Sequence, residues 1–218
     1  MLANTEMQIC VLQALEWEPS LDAALIGVAA HDGVVTLAGT VRTWADRLTA
    51  ERVVKRLSGV KAVSNELEVR LAVDSRRSDA ELVHAALQAL EWDVQVPAGR
   101  ITVRVANGWL SLDGEVDWQY QREAAERCVR HLTGVRGVSN LITLAVRPTP
   151  ADLKRRIEQA LRRHAELEAR AIRVEASGGR VTLDGAVHSF AERDEAERAV
   201  WGAPGVTVVE DHLVVSSA

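Results

Sequence analysis

The stretch VTLAGTVRTWADRLTAERVVKRLSGVKAVSNELEV, residues 35–69, decides the fold because it returns twice. It recurs as LSLDGEVDWQYQREAAERCVRHLTGVRGVSNLITL from residue 110 and as VTLDGAVHSFAERDEAERAVWGAPGVTVVEDHLVV from residue 181. Self-similarity at a fixed spacing marks a repeated supersecondary unit. Gly33, Gly108 and Gly179 correspond, as do Gly39, Gly114 and Gly185, and Gly59, Gly134 and Gly205. No gap separates the anchors within a copy, so differences in length fall in the polar or proline-bearing connections AVDSRRS (72–78) and RPTP (147–150). The hexapeptide LQALEW occurs unchanged at 12–17 and 87–92.

Each copy reads as two helices and three strands. Met7, Val11, Ala14 and Leu15 lie on one helical stripe, matched by Leu82, Ala86, Ala89 and Leu90, then by Leu153, Ile157, Ala160 and Leu161. Ser78 with Glu81, and Thr149 before Pro150, mark helix starts. Alternating apolar residues follow in two strands joined through HDGV, ANGW and SGGR, where glycine supplies a positive φ. Thr43 with Asp46 and Ser189 with Glu192 are capping boxes for a second helix. Copy two lacks the hydroxyl, and Asp117 is its expected cap. The second helix is expected to close on Ser58-Gly59. A last strand runs through Val63, Asn65, Leu67 and Val69. The expected fold is α+β: three tandem α-β-β-α-β modules at 1–72, 78–146 and 149–216, each with two helices on a small three-stranded sheet. A core that thin gains by packing on neighbouring copies.

The marks V-x-L-x-G-x-V and G-V-x-x-V-x-N-x-L-x-V, standing here as VTLAGTV and GVKAVSNELEV, resemble the BON domain, named for bacterial osmotic-shock and nodulation proteins. The third copy departs, with Asp211 in place of asparagine. The resemblance implies an association with envelope maintenance and osmotic stress, and binding to phospholipid surfaces or other proteins.

Composition bounds the chemistry. Of 218 residues 47% are hydrophobic, the net charge is −5, and no copy is basic overall, which disfavours nucleic acid. Cys10 and Cys128 form no disulfide framework and read as reduced packing residues. The N-terminal stretch shows no secretory signal and no apolar run reaches membrane-spanning length, so a cytoplasmic protein is expected. Six histidines fall at unrelated repeat positions, without HxxxH, HxH or CxxC, so neither metal nor cofactor is expected. The Cys128–His131 pair has no counterpart in the other copies, where Val53 and Ala199 stand for the cysteine. No carboxylate pair recurs either, so a non-enzymatic protein is expected.

The recurring glycines and the inward-facing Asn65 and Asn140 read as structural. Trp44, Trp118 and Phe190 recur where the second helix begins. Two readings stand: a staple of the helix onto its own module, or an exposed anchor for a membrane or partner. Arg47, Arg122 and Arg193 follow them and suit an anionic surface. The first helix of copy three carries Lys154, Arg155, Arg156, Arg162 and Arg163 around its apolar stripe. That is either a solvated face or a dock for acidic lipid headgroups or an acidic partner. The expected function is docking on anionic phospholipid through several weak sites, with a protein scaffold or homo-oligomer as the alternative.

Overall fold

The computed structural model describes residues 4–146, 152–163 and 172–216. Helix α1 (Asn4–Glu16) is followed by a 3-10 turn (Ala23–Leu25), strands β1 (Ile26–His31) and β2 (Val34–Val41), helix α2 (Trp44–Lys55) and strand β3 (Ala62–Val69). The second module repeats this as α3 (Asp79–Trp92), β4 (Ile101–Ala106), β5 (Trp109–Val116), α4 (Gln119–Val129), β6 (Gly137–Asn140) and β7 (Thr143–Leu144). The third holds α5 (Leu153–Arg163), β8 (Ile172–Ser177), β9 (Arg180–Val187), α6 (Phe190–Trp201) and β10 (Val208–Val215). The fold is α+β, with a mixed sheet in each module. A hairpin pairs its first two strands antiparallel, and the last strand returns parallel to the central one across the second helix. In module two the last strand is interrupted, but β6 and β7 continue the same pairing with β5.

The helical stripes bury as the spacing requires: Met7, Val11 and Leu15; Leu82, Ala86 and Leu90; Leu153, Ile157 and Leu161. Alternation along β1 puts Ile26 and Val28 in the core and their neighbours outside, so the helices cover one face of each sheet. The hairpins are tight because two consecutive residues take left-handed backbone, Asp32-Gly33 and Asn107-Gly108. Gly33 also sits against the turn after α2, where Lys61 N–H donates to its carbonyl at 2.7 Å. Arg136 N–H does the same to Gly108 (2.9 Å), and Thr207 N–H to Gly179 (2.8 Å). These bonds tie each hairpin to the turn carrying Gly59, Gly134 or Gly205, all at positive φ.

Three local expectations change. Helix α2 ends at Lys55, capped by Arg56, and Gly59 belongs to the following turn. The cap position of α4 falls on Trp118, not Asp117. An indole offers no acceptor, so the Gln121 N–H donates to the Trp118 carbonyl (3.1 Å); Gln121 Oε1 in turn accepts from the Asp117 and Trp118 N–H groups (3.0 and 3.1 Å), while Asp117 turns to Arg100 (3.1 Å). At α6 Ser189 Oγ caps the Glu192 N–H (3.2 Å), but Glu192 accepts from His188 N–H instead of closing the box. The Thr149-Pro150 start lies outside the described residues.

The modules do not stand apart. Core residues of modules one and three form one continuous apolar cluster. Module two has its own core, into which Trp44 enters from module one, with Leu48, Val69 and Trp201 packed against it.

Candidate functional site

The elements that carry the predicted surface residues turn out to be the junctions of the molecule. Trp44 opens α2 behind the Thr43 capping box, in which Asp46 N–H donates to Thr43 Oγ1 and Thr43 N–H to Asp46 Oδ2, both at 3.0 Å. That start aims the indole away from its own sheet and into module two, where it is 9% exposed. It meets Trp109 edge-on at 5.7 Å between ring centres. Trp109 is itself fixed, its ring lying over Gly137 and its Nε1 donating to Ser139 Oγ (2.8 Å). Phe190, at the matching position of α6, is also buried and sits beneath the Lys55 ammonium at 5.7 Å. Trp118 is half-buried at the cap of α4. Exposed anchors at Trp44 and Phe190 therefore give way to contacts between modules. A staple onto the parent module does not describe Trp44 either, since it packs on the next copy, whereas Phe190 is buried in the cluster that includes its own module's core.

The arginines that follow are engaged as well. Arg47 lies over the Trp44 ring at 4.9 Å and donates to the Asn65 carbonyl at 2.7 Å. Asn65 answers by donating from Nδ2 to the Arg47 carbonyl and to Glu51 Oε2, each at 3.1 Å, and accepts from Leu67 N–H. The amide thus ties the last strand to the second helix. Arg122, Asn140 and Glu126 reproduce the node in module two. In module three Asp211 cannot donate, and the node becomes an ion pair, Arg193 Nε to Asp211 Oδ2 at 2.6 Å. Arg47, Arg122 and Arg193 thus each direct a donor into their own module.

Burial pushes the Glu51 carboxyl up, but hydrogen bonds from Lys55 and Asn65 outweigh it and hold it below the ordinary carboxylate value. A depressed carboxyl stabilises the fold above its unfolded value and loses that contribution as pH falls through the folded one. Asn65→Ala is expected to cost about 2 kcal/mol at neutral pH, since it removes the donor that reaches both the Arg47 carbonyl and the Glu51 carboxylate, leaving the latter to Lys55 alone. Urea titrations should show the gap between wild type and variant narrowing as the medium is made acidic.

Of the basic set on α5, Lys154, Arg155, Arg156 and Arg162 are exposed. Arg155 and Arg156 share Asp152 at 2.8 and 2.9 Å, and Lys154 stands 3.9 Å from Glu158. The Arg163 side chain lies outside the described residues. Burial, then the Asp93 carboxylate 3.2 Å away, pushes the Cys128 thiol up to about 11, so it carries almost no thiolate at neutral pH. Among the described residues no group of three or more His, Cys, Asp or Glu is arranged to hold a metal. Nor is any helix long and apolar enough to cross a membrane.

The aromatics that do face solvent are others. Trp17 at the end of α1 is 86% exposed and Trp92 at the end of α3 is 81% exposed. Val94 beside Trp92 and Leu25 in the turn before β1 are exposed too. Both tryptophans close the duplicated LQALEW, two residues beyond the buried Leu15 and Leu90, so the helical period puts them off the core stripe. That hexapeptide was the available sign.

A family profile described as BON domain matches residues 10–70, 78–146 and 149–217. The chain is 32% identical over 134 residues to Osmotically-inducible protein Y of Escherichia coli, an alignment covering 60% of this chain and 67% of that protein. Among solved structures it is compared with CdsD, a structural protein of the type III secretion system of Chlamydia trachomatis, at 15% identity and a TM-score of 0.28, covering 95% of this chain and 91% of that one. A PrgH periplasmic domain follows at 12% identity and a TM-score of 0.22, covering 95% and 99%. Likenesses that slight carry no weight. Three profile matches across the three structural repeats identify the chain as a member of the BON domain family.

Proposed function

We propose that this chain is a non-enzymatic binding protein linked to osmotic stress, which docks peripherally on anionic phospholipid from the cytoplasmic side. The observation that carries the reading is the pair of indoles, Trp17 and Trp92, standing in solvent at equivalent helix ends. An indole joins a large apolar face to one N–H donor, a combination suited to the boundary between headgroups and acyl chains. The exposed cations of α5 add a salt-sensitive attraction, reduced by Asp152 and Glu158. The stress link rests on the name of the Escherichia coli relative. Docking is thereby assigned to Trp17, Trp92 and α5, while Trp44, Phe190 and the node arginines hold the modules.

Flotation with phosphatidylglycerol-containing vesicles tests this. The wild type is expected to co-float, and Trp17→Ala/Trp92→Ala to lose at least tenfold of the bound fraction with its melting temperature unchanged. Added salt should weaken binding without abolishing it. A wild type that stays at the bottom of the gradient and forms concentration-dependent oligomers through the same indoles would replace lipid docking with self-association.

A further inference from the structure

The second helices of all three modules meet along one groove of about 510 Å³. Its charges are sorted unevenly. Three of its carboxylates are occupied: Glu51 by Lys55 and Asn65, Glu126 by Asn140, and Glu195 by Arg198. Arg52 of α2, Arg56 at its C-cap and Arg130 after α4 line the same groove, and among the described residues none of them is seen bonded to a carboxylate. Asp194 is the remaining acid, exposed on α6. Arg130 donates from Nε to the His131 ring at 3.1 Å, a partner without negative charge. Burial holds both the Arg130 guanidinium and the His131 imidazole below their ordinary values; the charge of Arg52 from the neighbouring module lowers Arg130 further against an opposing pull from Glu126, and the charges of Arg130 and then Arg52 lower His131.

Two guanidiniums brought from separate modules to one groove repel each other, and a bound anion would turn that repulsion into attraction. Guanidinium forks match phosphoryl oxygens in pairs, and the volume lies within the roughly 300–1,000 Å³ usual for small-molecule sites. The carboxylates along the walls disfavour a weakly charged ligand, so the site selects for concentrated negative charge. We propose that this groove binds a soluble oxyanion carrying two or more phosphoryl groups, gripped by Arg52, Arg56 and Arg130, and that the ligand clamps module one to module two. The site is separate from Trp17, Trp92 and α5, and stands whether or not those dock on lipid.

Inorganic pyrophosphate serves as the probe, at constant ionic strength. Calorimetry is expected to show saturable binding, weakened at least tenfold in Arg52→Gln and in Arg130→Gln. Both variants remove a repelled charge and should melt no lower than wild type. Followed by NMR, the titration midpoint of the His131 ring should rise towards the ordinary imidazole value when pyrophosphate binds. Heat and NMR changes that do not saturate, or that sodium chloride reproduces, would overturn the site. Arg52→Gln binding as tightly as wild type would overturn it equally. A His131 response to phosphatidic-acid vesicles but none to pyrophosphate would refute the soluble ligand and assign the groove to a lipid headgroup.

Discussion

Gly39→Ala is expected to destabilise module one by about 3 kcal/mol, with Gly114→Ala doing the same to module two, because two penalties coincide. Gly39 has a φ of +123° and Gly114 of +148°, conformations that side chains rarely adopt. The space is also occupied. A Cβ on Gly39 would fall on the backbone carbonyl oxygen of Leu25, and one on Gly114 on that of Arg100, closer than any real contact. Those carbonyls belong to the turn entering the first strand and cannot swing aside as a flexible side chain would. The hairpin must therefore part at Ile26↔Gly39 or Ile101↔Gly114, its first pairs. Denaturant titration gives the stability, and amide exchange in β1 and β2 shows where it is lost. Gly99→Ala is the control, since nothing lies within 4 Å of a Cβ there, although its φ of +72° still makes some cost expected.

Trp44→Ala is expected to remove about 3–5 kcal/mol, the range for deleting a large buried aromatic. The loss should have a particular form. Modules one and three share a cluster that does not include this ring, whereas Trp44 counts among the core residues of module two. Its removal empties the seat beside Trp109 and frees Arg47 from the face of the ring. Calorimetry should then resolve two transitions where the wild type shows one, with module two melting first. Trp44→Phe separates ring from donor. The indole Nε1 is buried without a hydrogen-bond partner, so losing the N–H removes an unfavourable desolvation, and that variant should stay within about 1 kcal/mol of wild type. A single transition and full stability in Trp44→Ala would mean that the junction is held elsewhere.

What the sequence made legible follows from what repetition can reveal. Comparing copies exposes positions that every copy needs, so the stripes through Leu15, Leu90 and Leu161 and the turns at Gly33, Gly108 and Gly179 were readable. They answer to local geometry, which is the same three times. Trp44 was readable as a residue at a helix start but not as a residue of module two. Periodicity reports which side of a helix is apolar, and nothing in it says which neighbour covers that side. The node arginines carry a sign of their own. Arg47, Arg122 and Arg193 stay constant while their partners run Asn65, Asn140 and Asp211, as expected of side chains that need an acceptor in every copy. Trp17 and Trp92 were equally open to reading. Two identical tryptophans just past the last buried leucine of a stripe must face away from the core.

Having α2, α4 and α6 around one groove limits how this chain could have grown. In open superhelical arrays each added copy finds the same bare end that its predecessor left. Here the inner places are already taken, one by each copy. A gene carrying a fourth unit would encode a lodger with no room at the centre, tethered outside by its linker. The groove is thus a property of three units together, and any further unit would add outer surface to the molecule without adding a wall to that groove.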